Sequence, residues 1–196
     1  MTISKGSAYG EPGAILPADG VRCAGDTEAR QAVEDARRQG RPYPVLGLAS
    51  GDLARTLGGT GALDIAFPVD LGQVFVDGRL HLFVSTCIVR NRWWSRTLAV
   101  GNAQWLGDWN LWPRGHPNDG RLDLLDARLP LGDLRKVHAR LATGSHLPHP
   151  AIVARRVKAE AVELDRPLGV WLDGERIGTG RTFAFRCVPD ALRVLV

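Results

Sequence analysis

Cysteine is scarce in this chain. Cys23, Cys87 and Cys187 are its three, odd in number and far apart. With no C-x-x-C pair among them, a disulfide framework and a zinc site are both argued against, and a reducing compartment is expected. Cys87 falls in the middle of an apolar run and reads as a small buried hydrophobe. Long apolar runs are missing too: none approaches the roughly 18 residues of a membrane-spanning helix. No signal peptide is recognised, so a cytoplasmic location is expected. Charge of one sign is not concentrated, since 25 Lys and Arg against 21 Asp and Glu leave +4. The arginines are scattered, and no nucleic-acid partner is expected. Lys5-Gly6-Ser7 is no P-loop, because the upstream glycine spacing that cradles phosphate is absent. His146 and His149 stand three apart in a Pro-rich loop that need not bring them together, and they read as surface histidines.

What is present is a globular sequence of 196 residues, 44% of them apolar, long enough to bury a core. Residues 1–20 are an irregular Gly/Pro lead-in. Val21 to Cys23 suits a short strand. Asp26 is placed as a helix N-cap before Ala29, Ala32, Val33 and Ala36 at helical spacing, with Gly40 and Pro42 as the stop. Glu34 and Arg38 form an i,i+4 pair expected on the outer face. Pro44 to Leu48 reads as a buried strand, followed by the small-residue turn Ala49–Asp52 and a short helix over Leu53–Leu57.

From Val69 onward the pattern is β. Asp77-Gly78 and Asp173-Gly174 are hairpin turns between alternating runs. Leu80 to Val89 reads as one strand, Arg121 to Asp126 as another, and Leu134, Val137 and Leu141 as one helix face. Phe183, Phe185 and Cys187 share one strand face; Leu192, Val194 and Val196 share another. Many short strands with turn chemistry between them predict an antiparallel sandwich or barrel.

The most individual stretch is Asn102 to Leu125, NAQWLGDWNLWPRGHPNDGRLDLL, which carries three of the six tryptophans. From Leu98 to the end, four motifs follow in order: LAVGNAQWLGDWNLWPRGHPNDGRLDLLD; the Gly144, His146 and Pro150 loop in LATGSHLPHPAI; PLGVWLDGERIG; and PDALRVLV. Together they resemble the diacylglycerol kinase family of lipid kinases, to which sphingosine kinases also belong. Upstream, Ala24-Gly25-Asp26-Thr27-Glu28 stands where that family has a Gly-Gly-Asp-Gly-Thr phosphate loop. Ser50-Gly51-Asp52-Leu53-Ala54-Arg55 stands where it has a second small loop.

The resemblance implies a fold of the α+β class, mostly β. Residues 1–62 would be a shortened remnant of the α/β nucleotide-binding domain, and residues 63–196 the β-sandwich domain. It implies an ATP-dependent lipid kinase that transfers phosphate to a lipid hydroxyl. Glu175 or Asp173 would be the catalytic base, and Gly25, Asp26, Thr27, Ser50 and Gly51 would line the phosphate site. A magnesium ion would be held by Asp119 with the backbone carbonyls of His116 and Arg121. The residues also have plainer readings: both Asp-Gly pairs are complete as turns, and Asp26 as a cap.

Glu28 puts a carboxylate in the first helical turn, where phosphate would lie; such a charge stabilises the helix by about 0.3–1 kcal/mol but repels the ligand. The alternative is therefore a non-catalytic pseudokinase module that binds a lipid or a protein. A second subunit could also complete the nucleotide site, which leaves an oligomer open. Trp93 and Trp94 cannot both face inward on a strand. With Arg90, Arg92 and Arg96 beside them, they suit a peripheral membrane contact at an anionic headgroup.

Overall fold

A computed structural model describes residues 9–196; the Lys5–Ser7 reading lies outside them. In chain order the elements are β1 (Glu11–Pro12), β2 (Val21–Cys23), α1 (Asp26–Arg38), β3 (Leu46–Leu48), α2 (Asp52–Thr56), β4 (Ile65–Val76), β5 (Arg79–Phe83), β6 (Thr86–Arg90) and β7 (Arg96–Gly101). There follow β8 (Trp105–Leu106), β9 (Trp109–Asn110), β10 (Leu122–Arg128), α3 (Leu131–Leu141), β11 (Ile152–Val157), β12 (Ala159–Leu172) and β13 (Glu175–Leu195). Eleven strands make one sheet. Its main path is β1-β4-β13-β12-β6-β7-β10-β11, with β5 on β4 and β3 on β13, and β2 beyond β3. Only β2–β3 and β3–β13 pair in parallel; α1 is the crossover between β2 and β3. The fold is α+β and mostly β, as the alternation predicts.

The turns form for the reason the sequence offers. Asp77 and Gly78 hold φ of 47° and 84°, and Asp173 and Gly174 hold 48° and 86°. Positive φ at both central residues is what the tightest hairpin requires, and it matches the twist of the flanking strands.

β13 serves two cores. Phe183, Phe185 and Cys187 face a central core with Val74, Val89, Leu98, Leu124 and Leu172. The even positions of β13 face the other side of the sheet, and the register shift between Val188 and Leu192 keeps that alternation, since Val188 pairs with Leu71 and Leu192 with Val69. Leu192, Val194 and Val196 therefore join Val188 in a second core, where Ala29 and Val33 of α1 cover Leu46, Leu48 and Val69. Each fully buried Leu or Phe contributes about 1.5–3 kcal/mol relative to exposure. Close approach matters at Gly72, which pairs with Phe83: an added Cβ there would overlap the Phe83 ring. A third cluster lies on the other face, where Leu141 of α3 packs with Ile88, Ala99, Leu125, Leu111 and Trp112.

Several expectations are corrected. Leu80–Val89 is not one strand. It breaks into β5 and β6 because the N–H groups of Val84, Ser85 and Thr86 turn away from the ladder toward the Asp173 carboxylate. Glu34 is not on the outer face of α1 but 4% exposed. It pairs with Arg38 at 2.8 Å and accepts the Leu82 N–H at 3.2 Å, joining α1 to β5. Trp93 and Trp94 lie in the β6–β7 turn rather than on a strand. Trp93 is 65% exposed, while Trp94 packs edge-on against Trp109.

Candidate functional site

The ends of β2 and β3, the β12–β13 turn and the β5–β6 break meet in one cleft, and it gathers most of the residues singled out in the sequence. Asp173 is 5% exposed. Its carboxylate accepts the N–H groups of Val84 (2.9 Å), Ser85 (2.8 Å) and Thr86 (2.9 Å) and the Ser85 hydroxyl (3.1 Å). Burial pushes its pKa up to about 6, against the pull of those bonds. Thr27 donates its hydroxyl to the Asp173 carbonyl at 2.6 Å. Two residues on, Glu175 is ion-paired with Arg30 of α1 and lies 3.4 Å from the Gln31 amide nitrogen. Helix α1 is thereby tied to the hairpin.

Asp26 does not cap its own helix. Its Oδ2 accepts the N–H groups of Asp52 (2.7 Å) and Leu53 (3.3 Å), at the start of α2. Gly51 makes this approach workable: it has φ of 114°, and a Cβ there would sit 2.5 Å from Asp26 Oδ1. Burial, followed by the neighbouring Asp173 and Asp52 charges, pushes Asp26 up to about 7. Glu28 reaches back to the Ala24 N–H at 2.8 Å. Ser50 donates to the Ala24 carbonyl at 2.5 Å, and Asp52 accepts the Gly107 N–H at 2.7 Å. At Gly25 a Cβ would meet nothing nearer than 3.8 Å, so that position is not sterically reserved for glycine.

A phosphate binds at such a place through free backbone N–H groups and the positive helix end. Here Glu28 engages the Ala24 N–H and Asp26 the Asp52 and Leu53 N–H groups, while no side chain caps the first turn of α1. It is the carboxylates of Asp26, Glu28, Asp52 and Asp173 around that turn that oppose a triphosphate. Among the described residues, no three His, Cys, Asp or Glu side chains converge as a metal site.

Asp119 lies elsewhere, at the turn before β10, and is ion-paired with Arg156 of β11; its other oxygen accepts the Arg121 N–H at 3.0 Å. A guanidinium thus faces the carboxylate where a magnesium ion would be expected. The His116 ring packs on Tyr9 at 4.8 Å. Nearby, Asp70 is buried and takes the Gly120 and Asp190 N–H groups at 2.7 and 2.9 Å. Asn102 ties the Asp70 and Val84 carbonyls together at 2.7 and 3.2 Å; its role is to close the loop.

A cavity of about 320 Å³ lies between α3 and the outer face of β7 and β10. Its walls are almost wholly apolar, with Ala99, Leu125, Val137 and Leu141 inside and Trp93, Trp94 and Trp109 at the β6–β7 side. His146 also lines it and is 2% exposed, which corrects its reading as a surface histidine. Burial lowers its basicity, so it is neutral, with the Leu111 backbone opposing that shift. Neither ring nitrogen has a partner within hydrogen-bond limits. A second cavity, of about 430 Å³, is lined by Thr86 and Gly174 at the cleft and by Trp94 and Trp109, which also wall the first. Sequence reasoning missed this apolar cavity, because residues from a turn, a ribbon, two strands and a helix build it.

The model of a family described as the YegS C-terminal NAD kinase beta sandwich-like domain matches residues 62–196. Similar solved structures include three Bacillus anthracis str. Sterne proteins named diacylglycerol kinases, two of them provisionally. They are 14%, 15% and 15% identical to this chain, with TM-scores of 0.57, 0.53 and 0.59. In each case 78% of this chain is covered, against 70%, 67% and 69% of theirs. At such identity the likeness is one of fold. No curated protein matches the chain.

Proposed function

This chain belongs to the YegS C-terminal NAD kinase beta sandwich-like family, and with it to the diacylglycerol kinase family; on that premise we propose that it binds a lipid while its own phosphate cleft is closed. The observation that carries this is the cavity under α3. Its volume suits an alkyl chain, and binding pockets of this size combine apolar walls with a few placed polar groups. Neutral His146 is such a group, able to donate to a carbonyl or accept from a hydroxyl. Leaving a buried polar group unpaired costs about 1–3 kcal/mol, which a ligand oxygen would recover. The closed cleft supports the non-catalytic half of the reading. A triphosphate would have to displace Asp26 and Glu28 from the amides they hold, while facing Asp52 and Asp173.

Trp93, Trp94 and Trp109 line the cavity, so tryptophan fluorescence titrated with a monoacylglycerol or fatty acid is the direct test. Saturable quenching that disappears when the cavity is filled is the expected result. Quenching that is absent, or that survives filling, would sink the proposal. A peripheral contact through exposed Trp93 would bring the cavity mouth to a bilayer.

A second reading, lipid kinase, is favoured by one observation. Asp26, Thr27, Ser50, Gly51, Asp173 and Glu175 share one cleft, and the 430 Å³ cavity reaches from Gly174 to the tryptophans that wall the lipid site. On this reading Glu175 takes the proton from the lipid hydroxyl, and ATP with Mg2+ enters after a rearrangement of the cleft or with a second subunit. Thermal stabilisation by ATP-Mg, with lipid phosphorylation lost in Glu175→Gln, would establish this reading in place of the first.

A further inference from the structure

We infer that the groove between the β6–β7 turn and the β12–β13 hairpin is a binding site for a phosphate-bearing anion. It measures about 530 Å³ and is lined by Arg90, Arg92, Arg166 and Arg176 around Trp171, with no carboxylate in its wall. The four come from two distant stretches of chain, joined by the β6–β12 pairing that sets Arg90 opposite Gly169.

The arginines are left unneutralised by the way their neighbours point. Asp165, beside Arg166, is ion-paired with Arg128. Glu175, beside Arg176, is ion-paired with Arg30 on the opposite side of the hairpin. Among the described residues, none of the four forms an ion pair with a carboxylate. Arg96, which the sequence grouped with Arg90 and Arg92, is engaged by Asp126 and takes no part.

The groove is also preorganised. The Arg90 guanidinium lies between the Trp94 ring (4.1 Å) and the Trp171 ring (4.3 Å), and Arg176 approaches Trp171 at 5.8 Å. Gly169 is what lets Trp171 lie there, since a Cβ at 169 would come within 2.6 Å of the indole. Arg90 Nη1 also donates to the Asn91 carbonyl at 3.2 Å; stacking holds the guanidinium without consuming its other donors. Guanidinium forks match the oxygens of a phosphate, and an anion relieves the mutual repulsion of four like charges. Arg92, Arg166 and Arg176 are exposed, so both a soluble organic phosphate and a lipid headgroup can reach them. Trp94 borders both this groove and the cavity under α3, but none of the four arginines lines that cavity, so the anion site does not depend on a lipid bound there.

The test uses the whole chain with three probes: inorganic pyrophosphate, phosphatidylcholine vesicles containing phosphatidic acid, and phosphatidylcholine vesicles alone. Binding of the first or second, weakened by salt and absent for the third, is expected. In Arg92→Gln/Arg166→Gln it should fall roughly tenfold or more, with the unliganded melting temperature unchanged. The corresponding double lysine variant should keep part of the affinity, having charge but no fork. Binding of pyrophosphate identifies a soluble source; binding of the vesicles without pyrophosphate identifies a headgroup. Equal binding by wild type and the glutamine variant, or no binding of either anion, would overturn the site. The outcome is independent of Val137→Phe, a cavity-filling change, so failure of the lipid proposal would be seen separately.

Discussion

The Asp26 carboxylate caps a helix it does not belong to, accepting the Asp52 N–H at 2.7 Å across the cleft. This bond has α1 cover the N-terminus of α2. It also sets Asp26 beside Asp173, and burial with that neighbouring charge raises its pKa to about 7.

Stability should therefore depend on pH in the direction opposite to a salt-bridged carboxylate. Asp26 rises from an ordinary value of 3.8 to about 7 on folding. The folded state then binds more protons between those values, and stability falls as pH rises from about 4 to 7. Asp173, raised to about 6, adds to the same slope. Asp26→Asn keeps an oxygen acceptor for the α2 amides and removes the charge. Its melting temperature should exceed that of the wild type at pH 8 and converge on it near pH 4. Thermal melts across that range check this, and a parallel pair of curves would contradict it.

Gly51 and Gly25 should respond differently to alanine. At Gly51 the positive φ and the 2.5 Å approach to Asp26 make Gly51→Ala destabilising by about 1–3 kcal/mol. Gly25→Ala, whose Cβ would meet only ordinary contacts, should change stability by less than about 1 kcal/mol. Urea unfolding of the two variants measures the contrast. Were Gly25 the phosphate-cradling glycine of a working loop, Gly25→Ala would instead abolish nucleotide binding with no loss of stability.

Filling the cavity under α3 should separate binding from folding. Val137→Phe projects its added volume into the 320 Å³ space, so lipid affinity should drop roughly tenfold or more while stability holds or rises. His146→Phe tests the polar end: the chain still binds, but discrimination between a lipid with a hydroxyl or carbonyl and a plain alkane should be lost. Fluorescence titration with matched ligands reads both.

Magnesium should act on this chain only once Arg156 is removed. The wild-type Asp119 carboxylate is met by that guanidinium, and millimolar Mg2+ should leave the melting temperature unchanged. Arg156→Ala frees Asp119 Oδ2, with Asp123 beside the same guanidinium, and should become stabilised by Mg2+ through simple binding linkage. A magnesium-dependent shift in the wild type would show that the ion displaces the arginine.

Much of the fold was legible in the sequence because it rests on local chemistry. The helix α1, both Asp-Gly hairpins and the two faces of β13 follow from spacing and turn residues alone. Phe183, Phe185 and Cys187 fall on odd positions and Leu192, Val194 and Val196 on even ones, which assigns them to opposite faces of the strand. The grouping of Asp26, Ser50, Gly51, Asp173 and Glu175 was reached only through family resemblance, not through any pattern in the chain.

What the sequence by itself determined is the set of elements and the identity of the candidate side chains, since turn geometry and alternation act over a few residues. What only the tertiary structure decided is how those side chains are spent. Asp26 caps α2, Asp173 breaks a strand, Glu175 is claimed by Arg30, Arg156 sits on Asp119, and His146 is buried without a partner. Each is a contact between residues far apart in the chain, and hydrogen bonds and charges engage whatever the fold brings within about 3 Å. Sequence spacing carries no record of that. The same physical reason left four arginines in one groove with no carboxylate partner among the described residues, where no local motif pointed.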